Sequence, residues 1–255
     1  MEKVTVIIPT FNEEDNIERA IKSVLWANEI MIVDSFSSDK TLEIARKYTN
    51  FILQREYINS ASQKNWAIPQ ASHSWILLLD ADEWVSPELE KEIKETLANG
   101  CRESAFWMNR RNHFMGKRLR FSGFQRDAVI RLFRKENCRY QDLNVHSEIV
   151  TTGKVGYFKG KLMHNTYKSL DHFLRKNDRY TTWAAYDKVK KTQKITFFHL
   201  LIKPIYRFIK HYFLHLGILD GKVGFILSWY YSYYVFIRSV KMMRILEGEK
   251  LSHTL

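Results

Sequence analysis

Short apolar segments alternate with amphipathic segments over roughly the first ninety residues of the chain. VTVII and WILLL are continuous apolar runs, which is typical of strands buried on both faces, and EIMIVDS and FILQ indicate two further strands. Between the first two strands, Ile17, Ala20, Ile21 and Val24 recur at helical spacing. Because strands and helices alternate, the sequence predicts an α/β fold in which helices cover a parallel sheet.

The pattern changes after Ser86. SPELEKEIKETLANG predicts a helix that Ser86 caps and Gly100 ends, and SAFWMNR and AVIRLFRK predict strands of a more antiparallel half. From about Lys194 the sequence becomes aromatic, basic and helical in period. We therefore expect a Rossmann-like mixed sheet with flanking helices, followed by C-terminal amphipathic helices.

Composition limits the class of protein and of partner. With 45% hydrophobic and 14% aromatic residues, a chain of 255 residues is expected to fold. Its formal net charge of +12 indicates a negatively charged partner, for which nucleic acid, anionic lipid and phosphorylated metabolites all qualify. Cys101 and Cys138 lack metal-site or redox spacing, and the first residues lack the pattern of a signal peptide, so we expect a cytoplasmic protein.

Acidic residues follow the predicted strands at the edge where parallel sheets bind ligands. Asp34 ends the second strand, and Asp80 and Asp82 end the fourth. Alternation along an extended strand would turn Asp80 and Asp82 to the same side, and paired carboxylates suit a Mg2+ or Mn2+ ion that also binds phosphate oxygens. The less specific interpretation is a solvated acidic turn before the helix that Ser86 caps. GxGxxG after the first strand and GxxxxGK[ST] are both missing, which disfavours dinucleotide-binding and P-loop folds.

Four motifs, IIPTFNEEDNI, IVDSFSSDKT, ASQKNWA and LLLDADEW, follow one another in the first half. In this order and spacing they resemble the inverting family 2 glycosyltransferases with the GT-A fold. The resemblance implies a metal-dependent catalytic domain over residues 1–194, with a nucleotide-sugar half of about 1–100 and an acceptor half of about 101–194. Residues 195–255 would form a helical tail.

The resemblance also implies roles for individual residues of the first half. Phe11 falls where an aromatic ring packs on the nucleotide base, and Asp34 where an acid accepts a hydrogen bond from uracil. Lys64 would offset phosphate charge, Asp82 matches the metal ligand, and Asp80 binds the ribose or the metal. The implied nucleotide-sugar site comprises Pro9, Thr10, Phe11, Asn12, Glu13, Asp34, Lys64, Asn65, Asp80 and Arg131.

The second half resembles a narrower subgroup, which contains lipopolysaccharide-core β-1,4-glucosyltransferases. An inverting transfer needs a base beside the acceptor hydroxyl. The candidates are Glu148, Asp142, Asp127, His146 and His164, of which Glu148 and Asp142 are preferred nearly equally and Asp127 is third. His146 is also a candidate metal or diphosphate ligand, and Arg131 either reaches the diphosphate or pairs with a carboxylate. The chain departs from the subgroup at Glu148, which stands one residue late after His146, and in a strand this shift would turn the carboxylate to the other face.

The tail combines cations with aromatic residues. Lys203, Arg207 and Lys210 lie among Phe, Tyr, Leu and Ile, and about fifteen uncharged residues separate Lys222 from Arg238. A membrane-spanning helix needs roughly twenty. We therefore expect one or two helices that lie in the interface of an anionic membrane. The alternative is that the aromatic residues pack on the catalytic domain or on a second copy of the chain, as in a homo-oligomer.

The resulting hypothesis is a metal-dependent inverting glycosyltransferase that uses Mg2+ or Mn2+. It would transfer a hexose, with glucose from UDP-glucose preferred, to a lipid-linked saccharide such as lipopolysaccharide core, at the inner face of the cytoplasmic membrane. The alternative is a basic nucleic-acid-binding or scaffold protein whose acidic motifs are surface turns. No nucleic-acid partner is expected, because acids at the ligand edge would repel phosphate backbones. A nucleotidyltransferase would show an early glycine-rich basic loop, which is not seen.

Overall fold

The computed structural model describes residues 2–114, 116–125, 127–141, 148–167 and 170–251. The strands are β1 (Val4–Thr10), β2 (Glu29–Asp34), β3 (Ile52–Gln54), β4 (Trp75–Leu78), β5 (Glu83–Val85), β6 (Ala105–Phe114), β7 (Lys117–Arg118), β8 (Ala128–Arg134), β9 (Cys138–Tyr140), β10 (Ile149–Thr151) and β11 (Val155–Tyr167). The α-helices are α1 (Ile17–Lys22), α2 (Thr41–Ala45), α3 (Ser60–Ala67), α4 (Pro87–Asn99), α5 (Leu170–Val189), α6 (Lys203–Ile209) and α7 (Gly221–Leu246). Short π-helical segments, Phe198–Ile202 and Lys210–Leu214, lie on either side of α6.

The chain forms two compact units. The sheet unit comprises Met1–Arg111 and Asp127–His164, and the helical unit comprises Asn112–Arg126 and Asn165–Leu255. The helical unit therefore includes α5 and residues 112–126, which contain the end of β6 and β7, in addition to the residues after Lys194. The functional division into a catalytic domain and a tail at residue 194 stays a prediction.

The sheet unit has the mixed α/β architecture that the sequence predicts. The strand order is β3-β2-β1-β4-β8-β6-β11-β5. β1 pairs in parallel with β2 and β4, β2 pairs in parallel with β3, and β8 runs antiparallel to β4 and β6. The carboxyl ends of β1 to β4 therefore meet at one edge, which is where open α/β sheets bind ligands.

Apolar layers cover both faces of this sheet. Val6 and Ile8 of β1 belong to one layer and Ile7 belongs to the other, and all three side chains are fully buried. Burial of each such side chain contributes roughly 1.5–3 kcal/mol, and burial on both faces is what a continuous apolar strand permits. The strands thus form a rigid support for the polar residues at their ends.

The fourth strand ends earlier than the sequence predicts. The expected strand runs through Asp80 and Asp82, but β4 stops at Leu78 and a tight turn leads into β5. The Glu83 N–H donates to the Asp80 carbonyl at 2.8 Å, and the Glu83 carboxylate accepts the Asp80 N–H at 3.1 Å. The expectation that strand alternation aligns Asp80 and Asp82 is therefore wrong, because neither residue lies in a strand.

The helical unit contains the C-terminal helices that the sequence predicts. Lys241 of α7 donates to the Asp178 carboxylate of α5 at 2.7 Å. The Asp220 carboxylate, just before α7, accepts hydrogen bonds from the backbone of segment 112–126. Within the described ranges, no helix has the combined length and apolar character that a membrane span requires.

Candidate functional site

Side chains at the carboxyl ends of β1, β2 and β3 lie side by side. Thr10 pairs with Asp34 in register, and Asp34 pairs with Gln54. The fully buried Asp34 carboxylate accepts hydrogen bonds from the Ser37 N–H at 3.0 Å, the Ser37 hydroxyl at 2.5 Å and the Gln54 amide at 3.0 Å. These bonds fix the carboxylate at the edge of the sheet. Gln54 was not predicted, and its only sequence signal is its position at the end of the third strand.

Asn12 joins the loops that follow β1 and β2. Its φ of 53° lies in the left-handed region, which asparagine tolerates better than most residues. The Asn12 N–H donates to the Ser37 hydroxyl at 2.9 Å, and its side-chain carbonyl accepts the Ser38 N–H at 2.8 Å. The Glu13 N–H donates to the Thr41 hydroxyl at 2.7 Å. Asn12 and Glu13 of the predicted motif therefore set the shape of these loops.

Two aromatic rings are exposed in the same loops. Phe11 is 41% exposed and Phe36 is 57% exposed, the latter with a φ of 62°. The buried Thr10 hydroxyl, at the end of the strand in which Pro9 lies, has no hydrogen-bond partner among the described residues. Exposed rings beside an unsatisfied polar atom suit a planar ligand with a polar edge. The ring of Phe11 is thus accessible for the predicted stacking, and Phe36 is an additional aromatic that the sequence analysis did not select.

Asp80 lies between two cations. Its carboxylate pairs with Lys64 Nζ at 2.9 Å and with the Arg131 guanidinium, while 33% of the Asp80 side chain remains exposed. Desolvation alone would raise the pKa of Asp80, but Arg131 and Lys64 outweigh it and hold that pKa well below its usual range. Burial alone would lower the pKa of Lys64, and Asp80 raises it instead. All three groups are therefore charged at neutral pH.

Glu83, the third acid of the motif, is an internal partner of two arginines. Its side chain has no exposed surface, and it pairs with Arg131 at 2.7 Å and with Arg110 at 3.5 Å. A buried carboxylate is tolerated only when it is paired, so the motif is not a solvated turn. Helix α4 is capped separately, as the sequence predicts, because the Leu89 N–H donates to the Ser86 hydroxyl at 3.3 Å.

Arg110 extends the pairing to Asp127. Its guanidinium donates to both carboxylate oxygens of Asp127, at 2.7 and 3.0 Å. Burial alone would lower the pKa of Arg110, but Glu83 and Asp127 raise it. The result is an ion-pair chain of alternating charge that runs in the order Lys64, Asp80, Arg131, Glu83, Arg110 and Asp127.

Asp82 approaches a histidine from another strand. Asp82 Oδ2 lies 3.5 Å from His164 Nε2, and the two side chains are 16% and 13% exposed. The position of His164 follows from its pairing with Glu83 across β11 and β5. His164 is a candidate base from the sequence, but nothing in a linear motif connects it to Asp82. No three His, Cys, Asp or Glu side chains gather into a metal site within the described residues.

The pair nevertheless fits the metal that the fold family implies. Carboxylate oxygen and imidazole nitrogen are both ligands of first-row divalent ions, and Mg2+ and Mn2+ often take only one or two protein ligands beside substrate phosphates and water. Asp80 fits this role less well, because Lys64 and Arg131 already occupy its carboxylate. His146, the other predicted ligand, lies outside the described residues.

Two further predicted residues have defined places. The Asn65 side chain bonds both backbone groups of Tyr140, accepting its N–H at 2.9 Å and donating to its carbonyl at 3.0 Å, and so fixes α3 to β9. Glu148 is exposed, and its carbonyl accepts the Gln141 N–H at 3.0 Å just before β10. Asp142 lies outside the described residues. The structure thus gathers Asp80, Lys64 and Arg131 but does not identify the base.

Comparison with known sequences is consistent with this site. The family model described as Glycosyl transferase family 2 matches residues 5–160. The chain is 28% identical over 257 residues to an uncharacterized glycosyltransferase of Rickettsia typhi, covering 96% of this chain and 88% of the relative. It is also 28% identical over 247 residues to the lipopolysaccharide core biosynthesis glycosyltransferase LpsC of Rhizobium meliloti, covering 94% and 91%.

Solved structures show the same fold. The mannosyltransferase PcManGT from Pyrobaculum calidifontis, in complex with GDP-Man and Mn2+, superimposes with a TM-score of 0.54 at 13% identity, covering 95% of this chain and 87% of that one. TarS 1-349 of Staphylococcus aureus, in complex with UDP-GlcNAc, gives a TM-score of 0.50 at 13% identity, covering 98% and 93%. The predicted GT-A fold is confirmed.

Proposed function

Because this chain belongs to glycosyl transferase family 2 and is a glycosyltransferase, we propose that it transfers a hexose, glucose from UDP-glucose, to a lipid-linked saccharide such as lipopolysaccharide core. The observation that carries the donor site is the arrangement at the sheet edge, where a fixed carboxylate ends β2, exposed rings follow β1 and β2, and two buried cations from α3 and β8 pair with Asp80. The acceptor class is supported by the similarity to LpsC, which covers 94% of this chain.

In this proposal one part of the sheet edge binds the uracil ring of UDP and another part binds its diphosphate. Asp34 accepts a hydrogen bond from the uracil ring, which Phe11 covers by stacking. Lys64 and Arg131 offset the charge of the diphosphate, and Asp80 keeps both cations in place and binds the ribose. Asp82 and His164 would hold Mg2+ or Mn2+, which supplies positive charge to the departing diphosphate.

The transfer itself is an inverting displacement. The acceptor hydroxyl oxygen attacks the anomeric carbon, the bond from that carbon to the UDP oxygen breaks, and a carboxylate takes the hydroxyl proton. Among the candidates, Asp127 is held by Arg110 through both oxygens, whereas Glu148 is exposed to solvent. Glu148 and the undescribed Asp142 remain the preferred bases, since pairing with Arg110 makes Asp127 a weaker proton acceptor.

The proposal includes a location. The chain would act while bound peripherally to the inner face of the cytoplasmic membrane through its C-terminal helices, where a lipid-linked acceptor is present. The alternative of a non-catalytic nucleic-acid-binding protein required the acidic motifs to be surface turns. That requirement is not met, because Glu83 is fully buried between arginines.

The test is a turnover assay with the purified full-length chain. It would be incubated with Mn2+, a panel of UDP-sugars and lipopolysaccharide core lacking its outer sugars, and both UDP release and product linkage would be measured by chromatography and NMR. We expect turnover with UDP-glucose and a β-linked product, since inversion of an α-linked donor gives β. An α-linked product would refute inversion, and no turnover with any UDP-sugar would refute the donor assignment.

A further inference from the structure

The helical unit exposes an unusual amount of apolar surface. Between residues 197 and 236, large apolar side chains are repeatedly exposed, among them Phe197 at 70%, Leu214 at 66%, Trp229 at 63% and Leu219 at 61%. Large exposed apolar patches in soluble proteins generally mark an interaction surface. Phe, Trp and Tyr are common where such a surface meets a membrane interface, because one part of the side chain is apolar and another is polar or polarisable.

The segment that carries this apolar surface is rich in basic residues and poor in acidic ones. From Lys194 to Leu246 the sequence has one acidic residue, Asp220. Its carboxylate accepts the Arg120 and Phe121 N–H groups at 3.0 Å each and the Ser122 hydroxyl at 2.8 Å, so it is already engaged. The positive charge of this segment is therefore not balanced from within.

Three of these cations, and one that precedes the segment, come from helices that pack on one another. Arg207 and Lys203 lie on α6, Arg238 on α7 and Lys188 near the end of α5. The Ser232 hydroxyl of α7 donates to the Pro204 carbonyl of α6 at 2.8 Å, and the Tyr234 hydroxyl of α7 to the Tyr180 carbonyl of α5 at 3.5 Å. We call Lys188, Lys203, Arg207 and Arg238 the cation cluster.

Positive charges within the cation cluster lower the pKa of two of its members. The positive charge of Arg238 lowers the pKa of Lys188, with a smaller effect from Lys203. Burial, and then Arg207, lower the pKa of Arg238. Within the described residues none of the four pairs with a carboxylate, and the buried Nε atoms of Arg207 and Arg238 have no hydrogen-bond partner. Such a cluster is stabilised by an anion, and guanidinium groups favour phosphate.

The neighbouring surface indicates which anion. Lys203 lies 5.5 Å from the ring of Phe198, Arg207 lies 5.8 Å from that of Tyr231, and Arg238 lies 5.7 Å from that of Tyr234. A free phosphate ion would use the cations but leave the exposed apolar residues in water. A second copy of the chain would bring two positive surfaces together. A phospholipid bilayer with anionic headgroups matches both the charge and the apolar surface.

We propose that the cation cluster binds the phosphate of anionic phospholipid headgroups while the exposed residues of segment 197–236 enter the membrane interface. This inference rests on the proposed location of the enzyme at a membrane, but it does not depend on the donor or on the transfer reaction. It identifies the lipid-binding residues of the chain and predicts that they are separable from the sheet edge.

The experiment is vesicle flotation of the full-length protein at low and moderate salt, with phosphatidylcholine alone and with added phosphatidylglycerol. We expect binding that requires phosphatidylglycerol and weakens with salt. Each neutralised cation should weaken partitioning about fivefold, so Arg207→Gln with Arg238→Gln should weaken it about 25-fold. Equal binding to neutral vesicles, or wild-type binding by the double variant, would overturn the proposal.

Controls separate the alternatives. Arg244→Gln removes a cation of α7 that pairs with Glu249 at 2.5 Å, and it should bind vesicles almost as the wild type does. Lys188→Gln with Lys203→Gln tests the cluster without changing the partly buried arginines. Competition by millimolar inorganic phosphate at constant ionic strength, or a vesicle-free dimer that is lost in the double variant, would overturn the lipid assignment. Calorimetric binding of UDP should be unchanged in every variant, so a failed donor site would not be mistaken for a failed lipid site.

Discussion

The buried cations of the sheet unit and the cation cluster of the helical unit differ in how their positive charge is balanced. In the sheet unit, Lys64, Arg110 and Arg131 are buried or nearly buried and each pairs with a carboxylate. In the helical unit, Arg207 and Arg238 contact aromatic rings and, among the described residues, pair with no acid. A paired buried cation is held rigidly by its own protein, whereas an unpaired one keeps a field that attracts an external anion. The difference is consistent with the small-molecule site proposed for one unit and with the lipid-binding surface proposed for the other.

Breaking the ion-pair chain should have the largest effect. Arg131→Met leaves the fully buried Glu83 and the largely enclosed Asp80 with fewer positive partners. We expect a loss of about 3–5 kcal/mol in the free energy of unfolding, measured by urea denaturation, because an uncompensated buried charge is left behind. Arg134→Met is the matched control on the same strand, since its pair with Glu2 is 26% and 36% exposed and its loss should cost about 1 kcal/mol or less. Similar losses in both variants would remove the distinction between buried and exposed pairs.

Burial of His211, together with nearby positive charge in the helical unit, should make the stability of the protein sensitive to acid. Burial, together with the charges of Arg207, His215 and Lys210, lowers the pKa of His211 to about 4, although its bond to the Ser122 carbonyl acts the other way. The native state therefore favours the neutral imidazole. The contribution of neutral His211 to the free energy of unfolding is complete above the unfolded-state pKa, which is near 6.5. It is lost as the pH falls from there toward 4, by up to about 3 kcal/mol.

The measurement is urea unfolding between pH 7.5 and 4 for the wild type and for His211→Gln. We expect the wild type to lose more stability than the variant over this interval. Parallel curves would show that His211 does not titrate between its folded and unfolded states as described.

Removing the candidate metal ligand should affect binding rather than folding. In Asp82→Asn, we expect Mn2+-dependent affinity for UDP to fall by about 10–100-fold or more, because even residues that only hydrogen-bond to a metal ligand contribute that much to metal affinity. The free energy of unfolding should change by only about 1 kcal/mol, since the residue lies in an edge turn outside the core. Glu95→Gln is the matched control, an acid on α4 that is 60% exposed. Unchanged affinity in Asp82→Asn would exclude the ligand role.

The smallest expected effect belongs to an exposed pair in the helical unit. Arg244→Gln removes ion pairs with Glu247 and Glu249 in which every side chain is at least 42% exposed. We expect a stability change of about 0.5 kcal/mol or less by urea denaturation. A larger loss would mean that this exposed pairing is an important internal restraint on α7, and the small energy expected of exposed pairs would be wrong.

The sequence predicted the features that have a local cause. Continuous apolar runs predict strands buried on both faces, and Ser86 and Gly100 predict the ends of α4, where Gly100 has a φ of 70°. The motif residues Asp34 and Asp80 lie at strand ends, as expected, because a strand and the turn after it are set by adjacent residues. The alignment of Asp80 with Asp82 was wrong because the Glu83 side chain closes a turn there.

The features that the sequence did not predict depend on distant pairs. Glu83 meets Arg110 and Arg131 through the packing of β5, β6 and β8, and His164 reaches Asp82 through the register of β11 on β5. The spacing of residues along the chain gives no information about such contacts. The catalytic base also remains a prediction, since Asp142 lies outside the described residues.

Calorimetric titration of UDP-glucose measures binding at the sheet edge without requiring an acceptor or turnover. The full-length wild type and Asp82→Asn would be titrated with and without Mn2+. A metal-assisted UDP-sugar site at this edge predicts micromolar binding by the wild type that requires Mn2+ and is lost in the variant. Absence of binding under either condition, or equal binding by Asp82→Asn, would contradict it.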